Sequence, residues 1–127
     1  MQKTKFIELK KIFAILHGPK GCLWDKQQTH KSILSCLKQE CEEFIQAVKK
    51  GDDRQIKEEL GDILLQVMFH SQIALREGRF DIEEVIAGLI KKLKRRHPHV
   101  FGKVRVNSTQ EIIANWNRIK KQEKLKK

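Results

Sequence analysis

Glu40 and Glu43 stand three residues apart, and Glu59 and Asp62 repeat the spacing. On a helix that interval puts both members of a pair on one face, about one turn apart. Between the pairs lies Gly51-Asp52-Asp53, a short turn that makes the flanking helices antiparallel neighbours and lets the pairs come level. The surroundings are apolar. Asp62 sits between Leu60 and Ile63-Leu64-Leu65, while Glu40 and Glu43 straddle Cys41 and precede Phe44-Ile45. Burying an unpaired carboxylate costs on the order of several kcal/mol, so the four acids call for a compensating cation. An oxygen-only ligand set suits Mg²⁺ or Mn²⁺ better than zinc. The competing reading puts the acids on solvated helix edges, paired with Lys38 or Lys57. Two pairs on adjacent helices, with one acid inside an apolar run, favour the metal.

The elements that must position these acids can be read from apolar spacing. A first helix runs from about Thr4 to Leu16, stopped by His17-Gly18-Pro19, and a polar loop carrying Gly21, Cys22, Trp24 and Asp25 follows. Thr29 is placed to cap a second helix, about Lys31 to Lys50, whose apolar stripe includes Cys41 as a core residue. Asp53 is a candidate cap for a third, about Arg54 to Arg76, apolar over much of its circumference and therefore central. Gly78 is set to stop it in the left-handed conformation. Asp81 and Glu84 resemble a capping box opening a fourth helix to about Arg96, which Pro98 ends. Ser108 and Glu111 form a second box and open a fifth. These runs predict an all-α fold, an antiparallel bundle of about five helices.

Composition sets bounds. The 127 residues make room for one domain, about residues 1–127, and one core. The formal charge of +11 favours anionic ligands, such as a polyphosphate or nucleic acid. Nearly half of it comes from residues 117–127, with six basic side chains against one acid, and the final Lys124–Lys127 stretch reads as a solvated helix end. The odd count of three cysteines, without metal-type spacing, and the lack of a leader or a membrane-length apolar run point to a cytoplasmic protein with free thiols.

Longer motifs carry a family resemblance. The acid pairs resemble the signature of the all-α NTP pyrophosphohydrolases, which include MazG and the dimeric dUTPases. The loop from Gly21 through Trp24-Asp25 to Gln28-Thr29-His30 and the stretch Arg95-Arg96-His97-Pro98-His99-Val100-Phe101-Gly102 are similar to elements of the MazG group. The resemblance spans about Gly18 to Lys121. It implies Mg²⁺-dependent hydrolysis of nucleoside triphosphates to monophosphate and pyrophosphate, with Glu40, Glu43, Glu59 and Asp62 as metal ligands and catalytic groups. It further implies Lys92 and Arg96 as triphosphate contacts, Trp116 and Lys120 as further substrate contacts, and a homo-oligomer, dimer or tetramer. Lys92 and Arg96, four residues apart, face one way and suit neighbouring phosphate oxygens.

Two departures stand out. Gln39 replaces the first acid of the family's leading pair, which puts a base at that position in doubt, and Leu23 replaces a loop proline. For the catalytic proton acceptor, Glu43 is the first candidate and Glu40 the second. Trp24 either stacks on a base or plugs the end of the bundle. Among the histidines, His70 reads as a hydrogen-bonded core residue, and His97 and His99 as parts of a turn with local bonds. Two other functions compete. One is a catalytically impaired Mg²⁺-nucleotide-binding regulatory protein, motivated by Gln39. The other is a small basic nucleic-acid-binding protein, which the inward-facing acids oppose because they would repel a phosphate backbone.

Overall fold

In the computed structural model, which describes residues 4–126, Thr4 opens helix α1 (Lys5–Leu16) by accepting the Ile7 amide on Oγ1 at 3.3 Å. The chain then doubles back so tightly that a Cβ on Gly21 would lie 2.1 Å from the Leu16 carbonyl oxygen, so only glycine fits there. The stretch expected as a polar loop holds a short helix, α2 (Leu23–Gln27). Thr29 does not cap the next helix. It exchanges bonds with Ser32, whose amide donates to Thr29 Oγ1 at 3.1 Å and whose Oγ accepts the Thr29 amide at 2.8 Å. That local turn delays α3 (Leu34–Lys50), which starts three residues later than its apolar pattern suggests.

Helix α3 ends in Lys49 and Lys50, which complement the negative end of its dipole, and Gly51 closes it at φ 72°. The cap of α4 (Asp53–Arg76) is Asp52, one residue earlier than expected, with its carboxylate accepting the Arg54 amide at 3.0 Å. Gly78 terminates the segment at φ 72°, as its position implies.

The chain divides into two compact units, one ending at Ile82 and the other starting at Glu83. In the first, α4 packs on both α3 and α1. Its core holds Phe13, Ile33, Ala47, Met68, Phe69, Ile73 and Ala74. Only the C-terminal half of α4 is central. Leu60, Leu64, Leu65 and Val67 are exposed, Leu60 at 51%, and every buried residue of the helix lies from Gln66 onward. Cys41 is likewise exposed rather than core, as its helix face looks outward.

The 28–33 segment is pinned to α4 by polar contacts. Arg76 Nη2 donates to the Gln28 carbonyl at 2.6 Å, and Arg79 Nη2 meets His30 Nε2 at 2.7 Å. A guanidinium only donates, so His30 Nε2 accepts and its Nδ1–H donates to His70 Nδ1 at 2.8 Å. His70 is thus the hydrogen-bonded, part-buried histidine its sequence context suggests.

The second unit contains α5 beyond its first residue (Ile82–Arg96), the four-residue α6 (Pro98–Phe101) and α7 (Thr109–Leu125). Pro98 begins α6 as well as ending α5, because its missing N–H costs nothing in a first turn. Ser108 caps α7 by accepting the Glu111 amide at 3.2 Å, while Glu111 reaches back to the Asn107 amide at 2.6 Å. Among the described residues there is no strand, no disulfide joins Cys22, Cys36 or Cys41, and no helix is long and apolar enough to cross a membrane.

Candidate active site

The Gly51 turn sets α3 against α4 and brings the two acid pairs together. Glu40, Glu43, Glu59 and Asp62 each offer one carboxylate oxygen, and the four oxygens lie within 4.8 Å of one another. Oxygens on opposite sides of one hard cation, at about 2.1–2.4 Å from it, stand about 4.2–4.8 Å apart. Oε2 of Glu40 and Oε2 of Glu59 are shut off from solvent with no hydrogen-bond partner. Among the described residues no ion pair from Lys38 or Lys57 reaches the group, so lysines on a solvated edge do not account for it. Orphaned, inward-facing oxygens with no basic partner fit a divalent cation.

The electrostatics agree. Burial pushes the Glu40 carboxyl up, and a hydrogen bond with Glu43 and the charges of Glu43, Asp62 and Glu59 push it further, to about 7. Burial also raises Glu59, followed by the charges of Glu43 and Asp62. Repelling carboxylates that raise one another's proton affinity are a group that a cation relieves. Gln39 touches this cage directly, with its Nε2 donating to Glu43 Oε1 at 3.1 Å. Alongside, a cleft of about 610 Å³ is lined by Gln39, Glu43, Gln46, Lys50 and Glu59.

The expected substrate contacts fall in two places. Trp24 belongs to the first unit, 53% exposed, with its ring edge-on to Phe69 at 6.1 Å. Its outer surface is free while its inner edge packs, so both readings of this residue keep a physical basis.

Lys92, Arg96 and Lys120 belong to the second unit and line one cleft of about 480 Å³, together with Arg95, Lys124 and Lys126. Trp116 joins them through Arg96, whose guanidinium carbon lies 5.2 Å from the indole centroid in a cation–π contact. His97 makes the local bond expected of it, Nδ1 donating to the Leu93 carbonyl at 2.7 Å, whereas His99 Nδ1 is buried without a partner.

One residue in this cleft escaped the sequence reading. Glu123 sits among the bases with Oε2 on Arg95 Nε at 2.5 Å and Oε1 on Arg96 Nη2 at 2.8 Å. Its hydrogen bonds to Arg96 and Arg95 hold the carboxyl far below its ordinary range, at about 2. The available signal was its being the sole acid of residues 117–127.

Comparison with known proteins places these features in context. A family model described as the MazG nucleotide pyrophosphohydrolase domain matches residues 28–101. A Thermotoga maritima protein named nucleoside triphosphate pyrophosphohydrolase/pyrophosphatase MazG is 51% identical over 122 residues, covering 96% of this chain and 46% of that protein. The Escherichia coli (strain K12) nucleoside triphosphate pyrophosphohydrolase is 41% identical over 107 residues, covering 84% of this chain and 41% of that one. This chain thus spans less than half the length of either relative. A crystal structure of a mazG-related protein from Thermotoga maritima superposes with a TM-score of 0.72 at 27% identity, covering 92% of this chain and 97% of that one.

Proposed function

This chain belongs to the MazG nucleotide pyrophosphohydrolase domain family, and from that premise we propose that it is a Mg²⁺-dependent nucleoside triphosphate pyrophosphohydrolase, converting NTP or dNTP and water to the monophosphate and pyrophosphate. The observation that carries the reading is the α3–α4 cage of four carboxylate oxygens within 4.8 Å. Glu40, Glu43, Glu59 and Asp62 would hold the ion, with Mn²⁺ a possible substitute since the donors are all oxygen. Mg²⁺, when bound, supplies Lewis-acid polarisation of a phosphoryl oxygen and acidifies water.

The protein's own groups do the rest. Gln39, by donating to Glu43 Oε1, commits that oxygen as an acceptor and fixes the carboxylate plane. Glu40 and Glu43 stay the two candidates for proton acceptor, Glu43 with one oxygen committed to Gln39 and Glu40 with an Oε2 that no protein donor reaches. Lys92 and Arg96 would grip the phosphates that leave as pyrophosphate. Lys120 adds charge to the same cleft, Trp116 packs against the Arg96 guanidinium, and Trp24 offers an exposed ring for a base.

Assembly as a homodimer or tetramer is part of the reading. Leu34, Ile45, Val48, Leu60 and Leu64 are all exposed on α3 and α4, and apolar surface of that extent marks a protein interface. Residues 1–127 act as a single MazG-like domain in the cytoplasm, with free thiols.

A second reading is favoured by Gln39 alone. An amide cannot take a proton at neutral pH, and a chain impaired there would bind Mg²⁺-nucleotide without turning it over. One assay separates them: pyrophosphate release from a panel of NTPs and dNTPs, with Mg²⁺ and with EDTA. Release of pyrophosphate and monophosphate, lost in EDTA, is the expected outcome. Metal-dependent nucleotide binding without release would establish the regulatory protein instead.

A further inference from the structure

We propose that Glu123 is an internal anion that occupies the Arg95–Arg96 fork and gives way to a polyphosphate. The inference rests on the reading that Lys92 and Arg96 grip the triphosphate. The geometry is that of a stand-in. Two guanidiniums from adjacent residues converge on one carboxylate, at 2.5 and 2.8 Å, one on each oxygen. Two oxygens of a polyphosphate satisfy the same charge-assisted pattern.

Charge count makes the stand-in displaceable. Six basic side chains line the cleft, Lys92, Arg95, Arg96, Lys120, Lys124 and Lys126, and Glu123 answers one of those charges. A ligand carrying several negative charges gains from the whole set, whereas the carboxylate engages two members of it.

The two partners also differ in how firmly they are held. Arg96 and Glu123 are about equally covered, with side chains 16% and 17% exposed, but the Arg96 guanidinium also lies over the Trp116 ring. Its Nε is buried with no partner, a donor that Glu123 leaves unused. Glu123 stands two residues before the end of α7 at Leu125. The last carbonyls of a helix lose their usual partners, and that of Glu123 accepts instead from the Lys126 amide at 3.3 Å, a terminal bond that opens at small cost. When a polyanion enters, the arginine stays and the glutamate swings out.

A purely structural ion pair is the alternative, in which Glu123 ties α7 to α5 and any loss of the pair disorders the cleft. The two differ in sign. Tripolyphosphate is titrated calorimetrically, without metal, into the full chain as wild type, Glu123→Gln, Lys92→Ala and Arg96→Ala. Hydrogen exchange of residues 119–126 is followed with and without the ligand.

The stand-in predicts roughly tenfold tighter binding by Glu123→Gln, the equivalent of one charge-assisted hydrogen bond no longer competed for. It also predicts faster exchange in the last turn of α7 when tripolyphosphate binds the wild type, with no such ligand effect in Glu123→Gln. Unchanged or weaker binding in Glu123→Gln, or slower exchange in the liganded wild type, overturns the stand-in. If Lys92→Ala and Arg96→Ala still weaken binding in that case, the triphosphate reading survives. Indifference to both basic substitutions would remove that reading and the stand-in together.

Discussion

On α3 and α4 four carboxylates face one another, and among the described residues no ion pair reaches them. On α5 and α7 six basic side chains surround one carboxylate. Glutamate appears in both places and titrates at opposite extremes, Glu40 near 7 and Glu123 near 2. The residue type is constant, so the neighbours decide. The cage concentrates like charge, while the cleft balances part of its own charge internally.

The comparison breaks most easily at the cage. Glu59→Ala or Asp62→Ala should reduce Mg²⁺-dependent pyrophosphate release by roughly a thousandfold or more while the metal-free protein keeps its helical circular dichroism. Retained turnover in both variants would dissolve the metal assignment.

In the cleft the expected losses are smaller and differ between neighbours. Arg96→Ala removes the Trp116 and Glu123 contacts as well as the proposed phosphate donor, so substrate affinity and Tm should fall together. Lys92→Ala should raise KM by roughly tenfold with Tm little changed, since one charge-assisted contact is lost. A matching Tm drop would show that Lys92 has a structural task.

The opposite titrations give a sharper test. Glu40 has its folded pKa raised above 4.5, so its contribution is favourable at low pH and is lost as pH rises through about 7. In metal-free protein, Glu40→Gln should therefore gain stability over wild type at pH 8 and lose that advantage by pH 4. Glu123 has its folded pKa depressed, so its contribution is present above 4.5 and is lost as pH falls through about 2. Glu123→Gln should cost stability at pH 7 and less at pH 3. Denaturant midpoints across this range measure both, and parallel profiles would refute the contrast. The smallest effect belongs outside both regions: Ser108→Ala should cost about 1 kcal/mol, the value of one helix cap, with turnover unaltered.

Much of the fold was legible because the signals are local. Gly51 and Gly78 announce left-handed positions, and Ser108 with Glu111 announces a helix start. The misplaced boundaries also have local causes that compete with one another. Thr29 found a nearer partner in Ser32 than in the helix it was expected to cap, and Asp52 took the role given to Asp53. The two short helices, Leu23–Gln27 and Pro98–Phe101, are too brief to show a period.

Spacing by itself put Glu40 with Glu43 and Glu59 with Asp62, because a helix repeats every 3.6 residues whatever surrounds it. It also put Lys92 and Arg96 on one face. What spacing leaves undetermined is which faces meet another element and which groups from distant turns come within 3 or 4 Å. Tertiary structure decided that Cys41 and Leu60 stay exposed, that Glu40 and Glu59 each hold an oxygen without a donor, and that Glu123 reaches two arginines 27 and 28 residues away. The reason is physical. Periodicity is a property of the backbone, whereas burial and charge pairing depend on packing between segments that the order of residues does not make adjacent.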